Sequence, residues 1–174
     1  RPLPDSGLKS IRLEKFLKDM KVKTGIYDKK SFDVGNAKIY FLNDPYNYYY
    51  KSFSSNNKSG VLKIVYGNTS FLFVGDCEHP AENYLASYFR NMLDSDVLKV
   101  GHHGSSTGSS EAFLYLVSPK ISLVSAGIKN KFNHPVESVI NSLNTMNSKI
   151  YRTDHLGAVL LESNGTNIKY VNWK

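Results

Sequence analysis

The sequence predicts an α/β layer fold, and three observations carry that reading. From residue 61 onward, apolar runs of strand length alternate with stretches of helical periodicity, in the order strand–helix–strand–helix–strand–helix–strand. Polar, glycine-bearing segments fall repeatedly just after the strands, where ligand sites of α/β proteins gather. The chain has 174 residues, 41% of them hydrophobic, enough for one domain with a real core.

Taken in order, Leu8, Ile11, Phe16, Leu17 and Met20 recur at mostly helical spacing and predict a helix over 8–20. AKIYFLN alternates and predicts a strand at 37–42. DPYNYYYKSFSSNNKSG breaks every period and reads as a long loop whose tyrosines are capable of stacking. VLKIVY and FLFVG, joined by the turn residues GNTS, predict a hairpin at 61–75. Pro80 suits a first helical position before AENYLASYFRNML. DVLKV is a strand, SSEAFLYLV a short helix with Ser at its N-cap, and KISLVSA a buried strand. Pro135 is expected to open the helix VESVINSLNTM, KIYRT to form the next strand, and AVLLES with NIKYVNW to close the chain as a hairpin around an NG turn. No repeat or second domain is visible, so residues 1–174 are expected to form a single domain.

Lys and Arg exceed Asp and Glu by 22 to 15, a formal charge of +7. That balance suits a polyanion such as nucleic acid, or an anionic surface, yet the lysines are scattered as on an ordinary solvated face. One cysteine, Cys77, excludes an internal disulfide framework and reads as a small buried hydrophobe. No apolar stretch approaches the roughly 20 residues of a membrane helix. The opening RPLPDSGL lacks a methionine and leads to the expectation of a portion of something longer.

All five histidines lie in or beside the four post-strand loops GDCEHP, GHHGSST, GIKNKFNHP and DHLG. Asp76 ends a hydrophobic strand, either as a rigid carboxylate able to bridge two cations or as an acid favoured by the following helix dipole. His102 and His103 point in different directions at a strand end, so one ligand and one substrate or orienting partner is the expected division. Gly101 and Gly104 let the backbone turn tightly, and Ser105, Ser106 and Thr107 offer hydroxyls and amides to a phosphate. His134, with Asn130 and Asn133 nearby, is a ligand, an acid–base group or an N-cap neighbour. Asp154 and His155 form a further candidate pair, whereas His79 before Pro80 reads as a helix start. No nucleophile elbow, P-loop or dinucleotide fingerprint is present.

Read together, FLFVGD, DVLKVGHHGSSTGSS, PKISLVSAG with the following N and HP, and YRTDHLGAV resemble the C-terminal metallo-β-lactamase-like domain of the ComEC competence family. Phosphodiesterases of the same superfamily share the GD and HHG blocks. The resemblance implies an αββα sandwich with two divalent ions, zinc or manganese. Asp76 would bridge both ions and His102 would bind one of them. A metal-activated water would attack a phosphodiester, with His103 beside the chemistry and Ser105, Ser106, His134 and Asp154 lining the substrate pocket. The substrate would be DNA during uptake, outside a bacterial membrane, beside membrane-embedded domains of the same longer protein.

The chain departs from the family at two places. The family's His-x-His-x-Asp-His motif is absent, and PDS runs straight into GL where the family carries a ligand Asp-His. Asn56, Asn57, Lys58 and Ser59 replace a favoured Asn-x-Asn-Ser. Asp76, His102 and His134 together fall short of the four ligands one structural zinc takes. The chain is therefore expected to be the N-terminally incomplete, C-terminal portion of a complete metallohydrolase, or a relative that holds no metal. Two rivals stand beside the nuclease expectation: a non-catalytic nucleic-acid-binding module, and a cell-surface phosphodiesterase acting on a non-nucleic substrate.

Overall fold

A computed structural model describes residues 8–21, 31–43 and 52–172. Residues 1–30 and 31–174 are two separate units. In the first, helix α1 spans Leu8–Asp19, one residue short of the predicted end, with Lys18 in its last turn where the helix dipole favours a cation. The tyrosines of DPYNYYY lie outside the described residues, as do RPLPDSG and the last two positions.

The second unit is built on one mixed sheet of seven strands in chain order. Strands β1 (Ser31–Val34), β2 (Ala37–Phe41), β3 (Leu62–Tyr66) and β4 (Thr69–Phe73) form an antiparallel meander. Strands β5 (Val97–Lys99), β6 (Ile121–Val124) and β7 (Lys149–Arg152) continue it in parallel from β4. The mixed α/β expectation is met. Strand β1 was not anticipated, because SFDV carries one strong apolar alternation only. Its signal was the two-residue turn Gly35–Asn36, with Gly35 at φ 57° and Val34 paired with Ala37.

Helices α2 (His79–Phe89), α3 (Glu111–Val117) and α4 (Glu137–Thr145) connect the parallel strands. The core gathers Leu72 and Val74 from the end of β4, Leu98 and Val100 around β5, and Val124 of β6. Ala81 and Leu85 of α2, Phe113, Leu114 and Val117 of α3, and Val139 and Leu143 of α4 pack on the same cluster. Each such large side chain contributes roughly 1.5–3 kcal/mol on burial. A short helical turn, α5 (Thr153–Leu156), follows β7 where the sequence suggested only a loop. Strands β8 (Leu160–Ser163) and β9 (Ile168–Val171) then pair as a separate hairpin. The NG pair lies inside a four-residue connection, since Ser163 pairs with Ile168.

Two expected caps differ in detail. Ser110 is the N-cap of α3 but its side chain makes no capping bond. Pro135 does not open α4; it precedes the N-cap Val136, and its bond to His134 is cis. The cap of α2 comes instead from outside the helix. Asn57, buried in a 3-10 turn at Asn56–Lys58, accepts the backbone N–H of Glu78 at 2.9 Å and of Ala81 at 3.3 Å through Oδ1.

Because β4 to β7 run parallel, their C-terminal ends share one edge of the sheet. The segments leaving that edge are Gly75–Glu78, Gly101–Gly104, Ser125–His134 and Thr153 onward. No helix among the described residues is long and apolar enough to cross a membrane.

Candidate functional site

The segment leaving β4 is pinned before it reaches Asp76. Gly75 adopts φ 58°, and a Cβ there would lie 2.6 Å from Cβ of Ser59, so only glycine fits. The Asp76 N–H then donates to Ser59 Oγ at 3.0 Å. These contacts give Ser59 and Asn57 the task of seating the Asp76–Glu78 turn. The Asp76 carboxylate stays about half exposed at 46%. Lys99, mostly buried, has its ammonium held below the usual lysine range by desolvation, an effect Asp76 partly opposes. Cys77 is buried, and desolvation followed by the charges of Glu82, Asp76 and Glu78 pushes its thiol up to about 12. That thiol is inert, as the sequence suggested.

The HHG segment leaves β5 as a tight turn in which both histidines are left-handed, with φ 44° for His102 and 57° for His103. Each such residue costs roughly 1–2 kcal/mol outside glycine. The conformation persists because its surroundings dictate it. The His102 N–H donates to the Gly75 carbonyl at 3.1 Å, and the Ser105 N–H to the His102 carbonyl at 2.9 Å. Gly104, at φ 82°, lies so close to Pro135 that a Cβ would approach its Cβ to 2.5 Å. Its carbonyl accepts the Val136 N–H at 3.0 Å.

The two imidazoles splay apart, with ring centroids 6.4 Å from each other and planes inclined by 60°. His103 Nδ1 lies 2.7 Å from the Ser125 carbonyl, which can only accept, so Nδ1 carries the proton and Nε2 is the open nitrogen. That Nε2 faces Asp76 Oδ1 at 3.7 Å. His102 turns the other way. Its Nδ1 lies 3.4 Å from Glu78 Oε1 and 3.3 Å from Thr107 Oγ1, while Thr107 donates its hydroxyl to the same Glu78 oxygen at 3.1 Å. Glu78 therefore fixes the His102 tautomer in the same way, again leaving Nε2 open.

Glu78 was missed by sequence reasoning although it stands two residues after Asp76. Besides Thr107 and His102, it takes Nδ2 of Asn57 at 3.1 Å and of Asn56 at 3.4 Å. Its signal was a second carboxylate at a strand end, in the loop GDCEHP already marked as polar. Glu82, also missed, is fully buried and accepts the backbone N–H groups of Ser109 and Ser110. Burial pushes its carboxyl above the ordinary glutamate range, against those two bonds.

The third segment, Ser125–His134, closes the site from the β6 side. The His134 ring lies edge-on to His102 at 5.8 Å and stacked with Phe132 at 5.7 Å. Asn130 holds it in place, accepting the His134 N–H at 3.0 Å and donating to its carbonyl at 2.6 Å. Desolvation first, then His102 and His103, keep the His134 imidazole below the usual histidine pKa. A cavity of about 390 Å³ opens here, lined by His103, Ser125, Ala126, Gly127, Asn130, Phe132 and His134.

Of the expected site residues, Asp76, His102, His103 and His134 are therefore brought together, but His103 rather than His102 is the one that approaches Asp76. Ser105 is buried and its Oγ sits 3.1 Å from Thr107 Oγ1, which makes it part of the loop's own scaffold. Ser106 is exposed on the same turn. Asp154 does not line the cavity. Arg152 grips it with bonds of 3.1 and 2.6 Å, and that guanidinium holds its carboxyl below the usual range. Its neighbour Thr153 ties β7 to the β6 segment, exchanging bonds with the Ala126 N–H and carbonyl at 2.9 and 2.8 Å.

Residues 54–128 match the model of the metallo-beta-lactamase superfamily. Over those residues the chain is similar to that superfamily. It is also 40% identical over 109 residues to "Competence protein ComA" of Neisseria gonorrhoeae, covering 63% of this chain and 16% of that one. It is 38% identical over 106 residues to "ComE operon protein 3" of Bacillus subtilis, covering 61% of this chain and 14% of that protein. "Recombination protein 2" of Haemophilus influenzae is 36% identical over 106 residues, covering 61% and 13%. The chain thus spans about one sixth or less of the length of these relatives.

The superfamily's divalent metals can be tested against the donors present. Among the described residues, no three of His, Cys, Asp and Glu come together as a group able to hold an ion. Asp76 with His103 is a pair, and the Nδ1 of His102 is already spent on Glu78 and Thr107. A closed zinc site takes four ligands, so the described residues do not make one by themselves.

Proposed function

We propose that this chain supplies one half of a phosphodiester-hydrolysing site in a longer protein that handles DNA during uptake at the outer face of a bacterial membrane. Membrane-embedded domains of the same protein would be its neighbours. The superfamily match and the competence proteins among its relatives support the setting. The observation that carries the reading is the pair of imidazoles after β5, each with Nδ1 held by an acceptor, with His103 turning its Nε2 toward Asp76.

In this reading residues 1–174 are the C-terminal portion of the metallo-β-lactamase-like domain. Asp76 and His102 are its share of the donors for divalent ions, zinc or manganese, and the remaining donors come from outside the described residues. His103 presents Nε2 at the cavity, 3.7 Å from Asp76 Oδ1, as the group placed to exchange a proton there. His134, kept neutral by burial and its neighbours, adds an uncharged polar wall. The amides and hydroxyls of Ser105–Thr107 sit on the loop that a phosphate oxygen would approach.

The test is hydrolysis of DNA by the longer protein, with and without added zinc or manganese, and with metal content measured after exhaustive dialysis. Asp76→Asn and His102→Ala are each expected to lower cleavage by a factor of 10³ or more, an estimate of about 4 kcal/mol in the barrier, with the fold intact by circular dichroism. Full cleavage by either variant removes the mechanism. Salt-sensitive DNA binding without cleavage under any metal would replace it with a binding module. Cleavage confined to non-nucleic phosphodiesters would move the substrate to the cell surface.

A further inference from the structure

The Gly127–His134 loop, GIKNKFNH, concentrates features that the hydrolytic reading leaves unused. Phe132 is 63% exposed and Ile128 75% exposed, although both are large apolar side chains on a loop of otherwise polar residues. Phe132 lines the cavity, stacked with His134 on an inclination of 22°, and Ser125, Ala126 and Gly127 line it as well. The cavity of about 390 Å³ is within the size range of small-ligand pockets, roughly 300–1,000 Å³. Its lining sets Phe132 and two imidazoles beside a few polar groups, and none of these residues carries a carboxylate.

Two exposed lysines, Lys129 and Lys131, precede the aromatic ring in sequence. The Lys131 ammonium lies 4.8 Å from the Phe132 ring centroid, so a positive charge stands beside that wall of the cavity. The cavity shares His103 with the Asp76 pair, which makes it continuous with the atoms proposed to act on a phosphodiester. An aromatic face, nearby cations and a neighbouring phosphate-directed site are the elements by which proteins hold unpaired nucleotides.

We propose that this cavity is a nucleobase subsite: the base next to the scissile phosphate of a single-stranded nucleic acid stacks on Phe132 and His134, and Lys129 and Lys131 meet the adjoining phosphates. The inference rests on the hydrolytic reading for the position of the scissile phosphate, and it adds strand state and base recognition. A base inside a duplex is stacked on its neighbours and cannot enter such a cavity, so single strands are selected. The recognition is indifferent to base identity, because every base offers a flat face while the lining presents few groups to its edge.

The experiment is equilibrium binding by fluorescence anisotropy with the full chain, in chelator to suppress cleavage. The probes are a short oligothymidylate, an abasic strand of equal length and charge, and a duplex containing the same strand. The chain is expected to bind the oligothymidylate about tenfold more tightly than either of the others, the scale of one stacked base. Phe132→Ala is expected to bring the oligothymidylate and abasic affinities within about twofold, and Phe132→Trp to keep them apart. Phe132 is exposed, and circular dichroism verifies that both variants fold. Equal affinity for the three probes, no binding to any of them, or an undiminished base preference in Phe132→Ala overturns the subsite. Cleavage by the longer protein is read separately. A base preference with full activity in Asp76→Asn would sink the hydrolytic reading and leave the subsite standing; the converse pattern would do the opposite.

Discussion

Glu78 and Glu82 stand one helical turn apart at the start of α2, and each holds one half of the loop that follows β5. Glu78 takes the histidine half. It is partly exposed and its partners are side chains, Thr107 and His102, together with the amides of Asn56 and Asn57. Glu82 takes the serine half. It is wholly buried, and its partners are the backbone N–H groups of Ser109 and Ser110. The same residue type on the same helix thus does two jobs. A carboxylate that orients an imidazole at a solvent-facing rim sets reactivity, whereas one that closes a sealed loop onto a helix sets shape. Partner identity and access to water decide which.

The largest break in this comparison is expected at Glu82. Glu82→Ala leaves two backbone donors unpaired in the interior and opens a hole beside them, a loss of about 3 kcal/mol. Chemical denaturation reads it as a lower midpoint with an unchanged slope. A loss under 1 kcal/mol would mean that water replaces the carboxylate and that the site is not sealed.

Glu78→Ala is expected to separate the two roles. Its denaturation midpoint should move little, while cleavage by the longer protein falls by roughly 10- to 100-fold, the usual range for removing a group that orients an active imidazole. Glu78→Gln should recover part of that activity, because Gln Oε1 still accepts from the His102 ring. Equal losses of stability in the Glu78 and Glu82 variants would erase the distinction.

The smallest effect is in the pH dependence. Burial raises the folded-state pKa of Glu82 above its unfolded value of 4.5. Its contribution is therefore fully present below 4.5 and is lost as pH rises through the folded value. Stability measured from pH 4 upward should fall relative to Glu82→Gln, whose side chain does not titrate. Parallel curves for the two proteins would show that Glu82 is as easily ionised inside as outside.

The histidine pair shows how far sequence reading reached. GHHG after an apolar strand marked the place, and the separate directions of His102 and His103 followed from their adjacency. Which one meets Asp76 did not follow. That depends on two consecutive left-handed residues, which nothing in the types His-His requires and which the contacts to Gly75, Ser125 and Pro135 impose. Asp154 is the opposite case. The family resemblance made it a pocket residue, yet Arg152, two positions back in the chain, takes both carboxylate oxygens. Phe132 went unremarked because a lone aromatic in a polar loop has no period to expose it.

The sequence by itself determined the alternation of strands and helices, the loops at the strand ends and the blocks shared with the metallo-β-lactamase superfamily. These are legible because periodicity and short motifs are local properties of the chain. Tertiary structure alone decided that Asn57 caps α2 from 21 residues away, that Glu78 rather than Asp76 orients His102, and that Phe132 walls a cavity. Those outcomes depend on how parallel strands bring distant loops to one sheet edge, where a donor finds its acceptor by distance in space and not by spacing in the chain.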